Sequence, residues 1–218
     1  MAESIKTVKS QIEELSEEMW RKNPFFEVAR TIQIPPSSLK RYLAGLEMLF
    51  KASYKNLSLA AETAAKNGDE ELARFFRAKR DEELGHDQWA RDDLRSTSTK
   101  EGPQGPAIAP ESAQFICDFG SYLADLDPFY YLGYVSFSEY MTTYLGPRFL
   151  DCTSRLGLEP KRISALSNHV VLDVGHAEEN FELIEKRFQD PAVRDRFDSV
   201  VRQSSILLSA FFEECAHP

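Results

Sequence analysis

Proline punctuates this sequence at places where a helix can begin. Pro110, Pro128, Pro160 and Pro191 each open a segment in which apolar residues recur at spacings of three and four. At the first helical position the missing N–H is one that no intrahelical carbonyl would use, so these prolines mark starts. Asp127 and Asp190 precede two of them and can cap the free N–H groups. Gly68-Asp69 separates two further periodic segments, as a stop followed by a cap. Helices are expected at about 3–21, 37–66, 69–94, 110–125, 128–156, 160–187 and 191–215. Gly146-Pro147 is expected to kink or break the fifth. No segment shows the period-2 alternation of a strand bounded by turn residues. The expected fold class is all-α, a bundle of about seven helices. The stretch STSTKEGPQGPAIAP, at 96–110, is long for a connection, and reads as a crossover loop, a linker or a lid.

The 218 residues suit one domain, 1–218, with a substantial core. With 26 basic against 35 acidic residues and a net charge of -9, the chain lacks the basic face that nucleic acid requires. No run approaches the roughly 20 apolar residues of a membrane span, and the first residues lack the apolar core of a signal peptide. Cys117, Cys152 and Cys215 are odd in number and widely spaced, so they are expected as reduced thiols of a cytoplasmic protein.

The informative residues are polar groups placed where the helical period expects apolar ones. In the sixth segment Ile163, Leu166, Val170, Val174, Ala177, Phe181 and Ile184 form an apolar stripe. Beside it run His169, Asp173, His176 and Asn180, and the first three share one face within two turns. Such groups are costly to bury unless something binds them, and a divalent metal or a structural hydrogen-bond network would both serve. In the third segment Leu72, Phe76 and Lys79 lead to Glu83 and His86 on the same face, with Glu82 an alternative to Glu83. Glu47 falls in the stripe Leu43, Glu47, Phe50, Tyr54, and Glu139 follows Leu132 and Val135 in a segment nearly free of other charge.

Taken together, these faces supply a Glu, a Glu-x-x-His, a second Glu and an Asp-x-x-His. Two single carboxylates with two carboxylate–imidazole pairs are the ligand set of a carboxylate-bridged dinuclear site in a helix bundle. An oxygen-rich, thiolate-free set suits iron or manganese.

With its ordered motifs, the chain resembles the haem-oxygenase-like diiron oxidases, which share the haem-oxygenase helical fold but carry no haem. The resemblance rests on His-x3-Asp-x2-His at His169, Asp173 and His176. It also rests on the order of Glu47, Glu83 with His86, and Glu139, and on the NPFF segment from Asn23 to Phe26. It covers roughly residues 24–190. Part of that family has its second-helix Glu seven residues before the His, where this chain has Lys79; another part, which makes terminal alkenes from fatty acids, uses Glu-x-x-His, as here.

The resemblance implies a haem-oxygenase-like bundle and two Fe(2+) per chain, held by Glu47, Glu83, His86, Glu139, His169, Asp173 and His176. It further implies O2-dependent oxidation of a small carboxylic acid, amino acid or amine, by desaturation, C–C cleavage or N-oxygenation. No GxGxxG motif is present, so an external electron donor is expected. A homodimer is one assembly such a chain could form. Phe129, Tyr130, Tyr131, Tyr134, Tyr140 and Tyr144 crowd around Glu139 and suggest an aromatic cavity wall, with Lys79 and Arg80 as candidate anchors for a substrate carboxylate.

Four competing readings carry distinct expectations. A ferritin-like diiron bundle needs no third histidine, whereas His169 stands seven residues before His176. A metal-free enzyme of the same fold, like thiaminase II or the cofactor-independent quinone synthase, would lack this ligand set. A true haem oxygenase needs a histidine near the start, and none precedes His86. A non-enzymatic helical module would leave the inward polar residues without a purpose.

Overall fold

The structure, a computed structural model, describes residues 2–97, 107–188 and 191–217, with side chains from residue 8 onward. Most of the long 96–110 segment and the expected cap Asp190 lie outside the described residues. Nine α-helices and one 3-10 turn are present among the described residues, and no strand. They are α1 Ala2–Lys22, α2 Pro24–Thr31, α3 Pro36–Lys66, α4 Glu70–Glu82, α5 His86–Thr97, α6 Glu111–Leu126, α7 Pro128–Arg155, α8 Ser164–Arg187 and α9 Pro191–Ala216. The turn Pro160–Ile163 leads into α8.

The expected starts at Asp69 and Pro128 hold, whereas at Pro160 the chain first makes the 3-10 turn and α8 begins only at Ser164. Asp127 Oδ1 accepts from Phe129 N and Asp69 Oδ1 from Leu72 N, so each aspartate satisfies a donor that its helix leaves free. Gly68 takes φ 77°, the left-handed conformation that ends α3.

Three expectations need correction. Asn23-Pro24 starts an additional short helix, α2, in which Asn23 Oδ1 accepts from Phe25 N at 3.0 Å. The expected helix 69–94 is two helices: α4 stops at Glu82, and Gly85, at φ 90°, turns the chain before α5 begins at His86. Conversely, α7 runs through Gly146-Pro147 without interruption. There Gly146 lies so close to α8 that a Cβ would stand 2.3 Å from Val170 Cγ2. Tight packing of α7 against α8 holds the helix together across the missing N–H.

α3 lies along α4, α5 and α6, and α7 lies along α8 and α9. Phe25 and Phe26 of α2 meet Phe149 of α7 and Phe212 of α9, with Phe25 stacked on Phe149 at 5.7 Å between ring centroids. Val174, expected in the apolar stripe of α8, is instead 52% exposed. Cys117, Cys152 and Cys215 are free thiols. No described helix is long and apolar enough to cross a membrane.

Candidate metal centre

Six of the seven sequence-nominated residues converge in two groups of three. In each group, one ligand atom from every member lies within 4.8 Å of the others: Glu83, His86 and His169 in the first, Glu139, Asp173 and His176 in the second. The α4–α5 break places the first group. Glu83 caps α4 and His86 opens α5, so the turn at Gly85 brings carboxylate and imidazole to 3.3 Å without aligning them for a hydrogen bond.

α8 supplies His169, Asp173 and His176 from one face, and its start is fixed from outside. Asp93 of α5, buried and not singled out from the sequence, accepts from Ser164 Oγ at 2.7 Å and from Ala165 N at 2.8 Å. A carboxylate at a helix N-terminus satisfies free N–H groups and meets the positive end of the dipole. It thereby ties the helix that opens with His86 to the helix that carries His169.

The imidazoles are oriented. His169 Nδ1 lies 2.6 Å from Ala165 O, and its ring stacks on Phe50 at 4.4 Å. Burial holds His169 below the ordinary imidazole pKa, so the neutral ring donates Nδ1–H to the carbonyl and turns the Nε2 lone pair inward. His86 stacks on Trp89 at 4.2 Å. His176 Nε2 stands 3.1 Å from Glu82 Oε2, while Nδ1 faces Asp173 at 3.4 Å and Glu139 at 3.7 Å. Glu82 therefore sits behind His176, and Glu83 is the acid of the first group.

Buried polar atoms are normally hydrogen-bonded. His86 Nδ1, His169 Nε2, His176 Nδ1 and Asp173 Oδ1 are buried without a hydrogen-bond partner, and all four belong to the two groups. Divalent ions would satisfy these atoms together, and the imidazole–carboxylate donor set suits iron or manganese. The residues fit a dinuclear centre.

The electrostatics agree. Burial pushes Asp173 up to about 7, and the negative charges of Glu139 and Glu83 add to it. Burial also raises Glu139, against the pull of Lys79 and His176. Glu83 is pushed up by burial too, but the neighbouring imidazoles outweigh this and hold it below the ordinary carboxylate range. Metal-free, the centre is a place where carboxylates crowd and two of the three, Asp173 and Glu139, are driven toward their protonated forms.

Glu47 stands apart from both groups. Its Oε1 accepts from Lys51 at 2.5 Å and from Arg91 at 3.1 Å, and its side chain is 20% exposed. Lys79 and Arg80 do not line the cavity: Lys79 donates to Glu139 and Arg80 to Asp81. Beside the groups lies a cavity of about 150 Å³ whose lining includes Glu83, Glu139, His169 and Asp173. Of the aromatic residues expected in its wall only Tyr134 lines it; the others that do are Phe26, Tyr42, Phe50, Phe149, Phe211 and Phe212. The wall is gathered from α2, α3, α7 and α9, too far apart in sequence for a local aromatic run to reveal.

No family model and no curated protein matches this chain. Solved structures do. A domain of unknown function with a haem oxygenase-like fold from Shewanella denitrificans superposes with a TM-score of 0.81 at 18% identity, over 96% of this chain and 90% of that one. The fold is haem-oxygenase-like. A CADD-like protein of unknown function from Nostoc punctiforme gives a TM-score of 0.70 at 14% identity, over 97% of this chain and 96% of that one. A TenA homologue from Pyrococcus furiosus gives 0.68 at 13%, over 96% and 100%. At these identities the likeness establishes the fold alone.

Proposed function

We propose that the protein is a non-haem diiron oxidase or oxygenase that uses O2 to oxidise a small carboxylic acid, amino acid or amine. Its proposed ligands are Glu83, His86 and His169 at one ion and Glu139, Asp173 and His176 at the other. The observation that carries the reading is the set of four buried, orphaned ligand atoms, three imidazole nitrogens and one carboxylate oxygen, carried on α5 and α8.

Two ferrous ions at this centre would supply the electrons that reduce O2, and an external donor would restore them. The chain's own residues prepare the site. The Ala165 carbonyl fixes the tautomer of His169, Phe50 and Trp89 hold two imidazoles by stacking, and Asp93 fixes the start of α8. The mostly apolar cavity excludes bulk water from the reacting substrate, and among the described residues no Lys or Arg lines it. A substrate carboxylate or amine would therefore find its polar partners at the centre itself.

The test is anaerobic Fe(II) titration of metal-free protein, followed by mixing with O2 and stopped-flow absorption. Two irons per chain and a transient visible band, sharpened by the right acid or amine, are expected. A metal-free enzyme like thiaminase II, on the haem-oxygenase-like fold that this chain has, is the second reading, and failure to bind iron would bring it forward.

A further inference from the structure

The two triads differ in one respect that their ligand chemistry does not require: the second already holds a cation. Lys79 is 3% exposed, and its Nζ donates to both oxygens of Glu139, at 3.0 and 3.2 Å. Glu139 Oε2 also accepts from Asn180 Nδ2 at 2.5 Å. Both oxygens that Glu139 could offer to an ion are therefore engaged. In the first triad Glu83 Oε2 lies 3.3 Å from His86 Nδ1, and His86 Nδ1 and His169 Nε2 have no hydrogen-bond partner to give up; His176 Nδ1 and Asp173 Oδ1 of the second are equally unpartnered, so the difference lies at Glu139.

We propose that Lys79 is a resident counter-cation of the second triad that makes the two sites unequal. An ion enters Glu83/His86/His169 first, and Glu139/Asp173/His176 takes its ion only when Glu139 leaves the Lys79 ammonium. This rests on the dinuclear reading above and adds an order of loading to it.

The charge inventory of the buried centre points the same way. Glu83, Glu139 and Asp173 can supply three negative charges. One dication together with the Lys79 ammonium balances them. A second dication leaves an excess of positive charge in a poorly screened site, where like charges a few ångströms apart repel far more strongly than in water. It must also compete for oxygens that Lys79 and Asn180 hold. The Phe75 ring, 5.5 Å from Lys79 Nζ, offers the displaced ammonium another partner.

The experiment is an anaerobic titration of the metal-free chain with Mn(II) alone, reading free ion by electron paramagnetic resonance and bound ion by elemental analysis. The wild type is expected to bind two ions in separate steps, the second at least about tenfold weaker. Lys79→Met and Lys79→Gln should strengthen the weak step by about tenfold and leave the tight step within about threefold, since only the charge beside Glu139 is lost. His86→Ala should remove the tight step and keep the weak one. Circular dichroism checks the fold of each variant, and should the Lys79 variants fail to fold, the wild type and His86→Ala decide.

Equal steps in the wild type, an unchanged weak step in a folded Lys79 variant, or loss of the weak step in His86→Ala would each overturn the proposal while leaving the dinuclear centre standing. Absence of any binding, in wild type and variants alike, would overturn both.

Discussion

Asp173→Asn should stabilise the metal-free protein at neutral pH, although it removes a proposed ligand. The Asp173 side chain is 4% exposed and titrates at about 7 in place of 3.8, because burial and the charges of Glu139 and Glu83 disfavour its ionised form. A raised carboxyl pKa means that between those values the folded state holds a proton that the unfolded chain has released. Stability contributed by this group therefore falls as pH rises from about 4 to about 7 and stays low above that. At ~1.4 kcal/mol for each tenfold difference in proton affinity, the full cost approaches about 4 kcal/mol. That shift already includes the pull of His176, 3.4 Å away, whose partner the neutral isostere removes, so a gain of about 2–4 kcal/mol is expected at pH 8. For a chain of this length that is a rise in Tm of roughly 5–15 °C.

The assay is thermal and urea unfolding of chelator-treated wild type and Asp173→Asn from pH 4.5 to 8. The gap should open with rising pH and close toward pH 4. With divalent metal present at 1,000 times its Kd the gap should close or reverse, because the bound ion adds about 4.1 kcal/mol that the variant loses at this triad. A gap that is constant with pH, or that widens toward acid, would refute the reasoning.

Four further outcomes follow from the geometry. Glu47→Gln should leave metal stoichiometry unchanged and cost at most about 1 kcal/mol, because the Glu47 ion pairs reach solvent through Lys51 and Arg91; loss of one ion per chain by elemental analysis would return Glu47 to the proposed ligand set. Glu82→Ala should weaken metal binding by about tenfold, the lower end for a carboxylate behind a ligating histidine, since Glu82 is 52% exposed; a Mn(II) titration reads this. Gly85→Ala, at φ 90° with open space around it, should cost about 1 kcal/mol from backbone strain alone, and Gly85→Asn less, as urea midpoints will show. Gly146→Ala drives a methyl into Val170 and should cost about 1–3 kcal/mol, most of it recovered in the double variant with Val170→Ala.

How much of this was legible in the sequence depends on whether the signal is local. Helix starts were readable because their determinants lie within a few residues: Asp127-Pro128 and Gly68-Asp69 carry cap and stop chemistry on adjacent positions. The α4–α5 break was not, because Leu84-Gly85 sits inside an otherwise continuous 3/4 pattern, and a lone glycine in such a pattern is compatible with an unbroken helix. Pro147 does not break α7, which there lies so close to α8 that Gly146 leaves no room for a methyl beside Val170, 24 positions on.

The proposed ligand set divides along the same line. The helical period points the polar side chains of the two triads inward, and that much is legible in one dimension. Glu47 passed the same test, yet Arg91 reaches it from another helix and Lys51 from the next turn, so a periodicity argument cannot tell a ligand from an ion-paired acid. Asp93 escaped notice for the converse reason: its purpose is to accept from Ser164 and Ala165, and only the fold brings those donors to it. Lys79 combines both cases. The 3/4 spacing places it on the inward face, but its meaning depends on Glu139, 60 positions away. A buried lysine shows what it does only once the carboxylate it neutralises is known. In this protein that carboxylate belongs to the second triad, so the residue at which the sequence departs from the resemblance is the one expected to set the order in which the centre fills.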